Sequence, residues 1–289
     1  MGAGIGAGIP AGRGLTRGAR WFLGLSLGLA VLAPAPAPAA ESVATALVVS
    51  VDVSQSVDDD RFRLQMEGIA GALEDPSVLA AITGNAGGIL FALVTWADKA
   101  TLAVGWRRIA DRRDAAAAAA LVRAVPRQPG DFTCLGQMLR TVGASVLPAL
   151  PVPADRVVID VSGDGIDNCT DVEAIHAERD ALARGGATIN GLPILVPGEN
   201  DVVGAGAFRS PGYGLRALPI GPEGGETTLD RWYRDHVLTG PGAFLLAARG
   251  YGDFARALRQ KFVLEISALE PGQGPAMAPG PLSVRARGK

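Results

Sequence analysis

Residues 46–53 read ALVVSVDV, a nearly unbroken run of apolar and β-branched side chains. A strand with one wet face alternates apolar and polar residues. A run without that alternation fits a strand covered on both faces, at the centre of a parallel sheet. Parallel neighbours need long crossover connections, usually helices. This one segment therefore points to an α/β fold.

The remaining pattern supplies the partners. Asp58-Asp59-Asp60 opens a helix with Phe62, Met66, Ile69, Ala70 and Leu73 at helical spacing, and Pro76 stands just past its end. Residues 89–97 and 101–109 form two strands separated by Asp98-Lys99, a gap so short that the pair must be antiparallel. Asp111 caps an alanine-rich helix to about residue 125, and a second helix covers about 135–147. Residues 156–162 form a fourth strand and 187–195 a fifth, with a helix from Asp171 between them. Residues 197–225, rich in Gly and Pro, read as a long loop. A helix over 228–238, a short sixth strand at 243–248 and a last helix over 251–266 complete the series. The expected fold is a doubly wound, Rossmann-like, mostly parallel six-stranded sheet with one antiparallel edge strand and helices on both faces. With 48% hydrophobic but only 5% aromatic residues, its core must be aliphatic.

In such sheets ligands bind outside the carboxyl ends of the strands, where strand order reverses. The loops expected there carry a distinctive set of oxygens. The first reads Asp52-Val53-Ser54-Gln55-Ser56, with Asp52, Ser54 and Ser56 on one side of extended backbone. The loop before residue 135 offers Thr133, and the loop after the fourth strand offers Asp164 between two glycines. All five donors are oxygens, which suit a hard cation such as Mg²⁺, Mn²⁺ or Ca²⁺ rather than zinc. Five monodentate ligands leave an octahedral ion a position for a ligand from outside.

The DxSxS loop, followed by Thr133 and then Asp164 on later loops, resembles the metal-ion-dependent adhesion site of the von Willebrand factor type A domain. The resemblance runs from about Ser42 to Ile266, most of the expected mature chain, and sets the domain at 42–268. The phrases VSGDG at 161–165, INGLP at 189–193 and GPGAF at 240–244 resemble an exported bacterial branch of that superfamily with no assigned function. Many relatives carry Thr-Asp-Gly on the third loop; here Ser162-Gly163-Asp164-Gly165 stands there, and the role passes to Asp164 ahead of Asp160 or Asp167. The resemblance implies that Mg²⁺ binds an acidic side chain of a protein partner, expected to be another envelope protein. Cys134 follows Thr133 and Cys169 lies five residues after Asp164, so loops that converge on one ion should bring both sulfurs together as a disulfide.

Arg13, Arg17 and Arg20, the apolar run 21–32 and Ala37-Pro38-Ala39 read as a signal peptide over 1–39, which places the mature chain in the periplasm or outside the cell. No later stretch is apolar enough to span a membrane, and residues 269–289 read as a disordered tail. A net charge of −2 with scattered Lys and Arg gives no nucleic-acid footprint. Asp59 and Asp60 read as helix N-terminal acids, and the only histidines, His176 and His236, as surface or satisfied core residues. The alternative function is a metal-dependent phosphoesterase. Such enzymes place a second acid two residues after the first, where this chain has Ser54, and no lysine stands near Asp164.

Overall fold

The structure is a computed structural model that describes residues 42–85, 87–128, 130–204 and 227–267. The expected signal peptide at 1–39, the tail at 269–289 and most of the expected long loop lie outside the described residues.

The first apolar run forms β1 (Val43–Asp52), buried almost throughout. It is followed by α1 (Asp59–Glu74) and α2 (Pro76–Thr83), then β2 (Ile89–Trp96) and β3 (Ala100–Ile109). Next come α3 (Arg112–Arg123), α4 (Leu135–Thr141), β4 (Ala154–Gly163), α5 (Val172–Arg184), β5 (Ala187–Pro193), α6 (Leu229–His236) and α7 (Tyr251–Ile266). The sheet order is β3-β2-β1-β4-β5. β1 pairs in parallel with β2 and β4, β4 pairs in parallel with β5, and β3 runs antiparallel at the edge. Alternate residues of β1 enter opposite layers. Leu47, Val49 and Val51 pack with α1, α3 and α7, whereas Val48 packs with α4, α5 and α6. Helices thus cover both faces of the sheet.

The sheet has five strands rather than the expected six. Residues 243–248 run beside β5 but make only isolated bridges, Gly191 with Leu245 and Ile194 with Ala248. Asn190 interrupts the ladder: its side-chain Oδ1, not a strand carbonyl, accepts from the Phe244 amide at 3.0 Å. Pro76 also does more than end α1. It is the first residue of α2, where a missing N–H is no loss, and Asp75 caps that helix through the Ser77 amide at 2.9 Å. The helix from Leu135 is shorter than expected, relaxing into a π turn over Val142–Val146 and a 3-10 turn over Leu147–Ala149.

Candidate metal site

The carboxyl ends of β1 and β4 lie side by side, and the five oxygen-bearing residues named above meet there. Asp52 is the last residue of β1 and is wholly buried. The chain then turns, with the Val57 amide donating to the Ser54 carbonyl at 2.9 Å, before Asp58 caps α1 through the Arg61 amide at 2.8 Å. The Ser54 amide donates to Asp52 Oδ1 at 2.8 Å, which fixes that carboxylate against its own loop.

The hydroxyls form a row. Thr133 Oγ1 donates to Ser54 Oγ at 3.2 Å, the Ser54 and Ser56 hydroxyls are 3.2 Å apart, and Ser56 Oγ donates to Asp164 Oδ1 at 2.6 Å. Gly163 lets the two carboxylate loops approach. A Cβ there would stand 2.9 Å from Tyr233 Oη and 3.1 Å from both Cβ and Oδ2 of Asp52.

This arrangement fits a hard cation on two observations. The donor set is entirely oxygen. In addition, Asp52 Oδ2 is buried without a hydrogen-bond partner, an expensive state for a carboxylate unless something positive faces it. Burial, reinforced by the charge of Asp164, pushes the Asp52 carboxyl up to about 8 in the metal-free protein. Among the described residues no three His, Cys, Asp or Glu side chains cluster to hold a metal; this candidate set has two carboxylates and draws its remaining donors from hydroxyls.

The loops are held by contacts between them. Asn168 and Thr133 pair reciprocally: the Thr133 amide donates to Asn168 Oδ1 at 2.8 Å, and the Asn168 amide to the Thr133 carbonyl at 3.0 Å. Cys134 and Cys169 form a disulfide with Cα atoms 5.4 Å apart, as expected. Asp98 accepts from the amides of Asp131 and Phe132 at 2.9 and 3.0 Å and so steadies the approach to Thr133. Asp167 spends its oxygens on the amides of Gly136, Cys169 and Thr170. Asp160 faces Lys261 at 2.9 Å. Both are engaged away from the row of hydroxyls, whereas Asp164 accepts from Ser56.

Three neighbours had no signal in the residue pattern. Arg61, in the first turn of α1, places Nη1 3.6 Å from Asp164 Oδ2 and donates to the Ser56 carbonyl at 2.9 Å and to Glu199 at 2.5 Å. Tyr251, the first residue of α7, donates its hydroxyl to Asp164 Oδ2 at 2.9 Å; burial and that carboxylate both raise its pKa. Asn200 donates to the Asp164 carbonyl at 2.7 Å and the Ile194 carbonyl at 2.8 Å. Glu199 and Asn200 open the long Gly- and Pro-rich segment, so its described beginning reaches this edge. Asp59 and Asp60 instead pair with Arg127 and Arg63, at 3.1 and 3.0 Å.

The strand order, the antiparallel edge and the helices on both faces are those of the von Willebrand factor type A fold. The chain is similar in structure to proximal thread matrix protein 1 from the mussel byssus, at 15% identity and a TM-score of 0.51, over 78% of this chain and 47% of that one. A second structure of that protein, with a zinc-occupied MIDAS motif, matches at 14% identity and a TM-score of 0.50, over 78% and 47%. The pilus adhesin SpaC from Lactobacillus rhamnosus GG matches at 12% identity and a TM-score of 0.53, over 77% of this chain and 30% of that one. The chain therefore spans less than half the length of these relatives. No curated protein matches it in sequence. Residues 42–270 match the family described as protein of unknown function (DUF1194), and the chain belongs to that family.

Proposed function

We propose that the chain is an exported, divalent-cation-dependent protein-binding module, with residues 1–39 as its export signal and 42–268 as its binding domain. The observation that carries this reading is the buried, unpartnered Asp52 Oδ2 beside a linked row of hydroxyls that ends on Asp164. Asp52, Ser54, Ser56, Thr133 and Asp164 would hold Mg²⁺, directly or through water, with Mn²⁺ or Ca²⁺ as substitutes. When bound, the cation supplies a positive charge that attracts a carboxylate of a protein partner, expected to be another envelope protein. Asp52 and Asp164 bring two negative charges, and Arg61 returns one positive charge beside Asp164. Glu199 in turn offsets Arg61, so a divalent ion brings the local sum to about zero, and it is the ion's open coordination position that favours an acidic partner. Two relatives of the same fold, an adhesin and a thread matrix protein, support an adhesion-type role.

The test is calorimetric titration of Mg²⁺, Mn²⁺ and Ca²⁺ into metal-stripped protein, beside Asp52→Ala. One-site binding that the variant loses, together with Mg²⁺-dependent capture of an acidic envelope protein, supports the proposal. A phosphoesterase would instead turn over p-nitrophenyl phosphate in a metal-dependent reaction abolished by Asp52→Ala, and that result overturns it.

A further inference from the structure

The only two histidines of the chain lie 60 residues apart in sequence and meet in space. His176 projects from α5 and His236 ends α6. His176 Nε2 and His236 Nδ1 face each other at 2.9 Å, with the ring planes 19° apart. Both rings are half-buried, and Trp232 backs His236 with its ring centroid 5.1 Å away. As a hydrogen bond between two imidazoles, the contact requires one nitrogen to donate and the other to accept, so the two facing nitrogens cannot both be protonated. Burial, with the charge of Arg179 next at His176 and that of His176 next at His236, lowers both pKa values. Both effects favour the neutral ring, the form that ligates metals.

We propose that His176 and His236 form a second cation site, selective for a borderline transition ion of the Cu²⁺ or Ni²⁺ class and independent of the oxygen site. The spacing permits a right-angled geometry once the rings tilt. Two nitrogens bound to one ion at about 2.0–2.1 Å and at right angles lie about 2.9 Å apart, whereas a tetrahedral ion needs about 3.3 Å. Right-angled positions belong to tetragonal and octahedral ions, and imidazole affinity peaks at Cu²⁺ in the divalent series. To bind, the donor ring passes the proton of the shared hydrogen bond through solvent to its own other nitrogen, and both rings tilt so that two lone pairs that face each other converge on the ion. Among the described residues no third His, Cys, Asp or Glu joins them, so water fills the remaining positions and the site is open. The charged groups around it are Glu173, Asp180 and Asp235, which favour a cation, and Arg179, which opposes one. Arg179 is itself tied to Asp180 at 2.8 Å and to the Asp235 carbonyl at 3.1 Å. A bound ion clamps α5 to α6.

The test uses the full, untagged chain with Ni²⁺ and Cu²⁺ as probes at pH 7.5. Isothermal titration should give one site in the wild type and in Asp52→Ala, weakened at least tenfold in His176→Ala and in His236→Gln. Cu²⁺ electron paramagnetic resonance of the wild type should show coupling to two imidazole nitrogens, a readout that needs no variant to fold. The assignment is overturned if the wild type shows no such coupling, or if Asp52→Ala abolishes Ni²⁺ binding while the histidine variants retain it.

Discussion

A cation that binds at Asp52 has to displace a proton. Burial and the neighbouring Asp164 push this carboxyl up to about 8 in the metal-free fold, whereas its ordinary value is 3.8. Only the ionised form ligates a hard cation, so apparent affinity follows the fraction ionised. That fraction is about one half at pH 8 and about one hundredth at pH 6, so Mg²⁺ should bind about fiftyfold more weakly at pH 6. The same shift contributes to the pH dependence of stability in the metal-free protein. Because the folded pKa is raised, the folded state holds the extra proton between about pH 4 and pH 8, and stability falls as pH rises through that window. The shift of about four units puts a ceiling of about 6 kcal/mol on this loss, which a bound cation offsets. Calorimetry in two buffers of different ionisation heat reads the protons released; about one per Mg²⁺ is expected at pH 6.5. Asp52→Asn, a neutral isostere, should reduce the slope of stability with pH, leaving the part that the buried Glu265, raised to about 7, contributes, and should remove the binding. Equal affinity at pH 6 and pH 8, with no proton released, would refute the reasoning.

Three further outcomes follow from the packing. Breaking the Cys134–Cys169 bridge with a Cys134→Ser, Cys169→Ser double variant should destabilise the fold by about 3–4 kcal/mol in urea titration, the loop-closure value for a separation of 35 residues. Gly163→Ala forces a methyl group against Tyr233 and Asp52, and should cost about 1–3 kcal/mol while weakening Mg²⁺ binding measured by titration. Lys261→Met leaves Asp160 and Glu265 buried without their cation, at a cost of about 3–5 kcal/mol read from the midpoint of chemical denaturation.

The strands were legible because burial on both faces leaves continuous apolar runs, as in β1, β2 and β4. The sixth strand was misread for a physical reason. Residues 243–248 have the composition of a strand, but the Asn190 side chain takes a hydrogen bond that a ladder would have made. Pro76 has two meanings in sequence, the end of one helix and the first turn of the next, and only the Asp75 cap separates them. At the site, the five oxygen-bearing residues could be named because three of them share one loop and the other two hold a recognisable order along the chain. Arg61, Tyr251 and Asn200 could not, since each reaches Asp164 by a contact with no fixed spacing. The histidine pair was equally hidden: its two members sit on separate helices, and only the packing of α6 against α5 joins them.

The two margins of the sheet behave differently from its loop-bearing end. β5 is shielded by the 243–248 segment, whose bridges occupy backbone groups a foreign strand would need. At the opposite margin, β3 shifts register twice against β2 and carries Arg107 and Arg108, so it is a bent and charged template. Strand addition, a recurring way for a sheet to recruit another chain, is thus discouraged on both sides. Under the proposed function, recognition falls to side chains and a cation at the loop end. Association there would be reversed by removing the metal, as the unzipping of an extended backbone ladder would not.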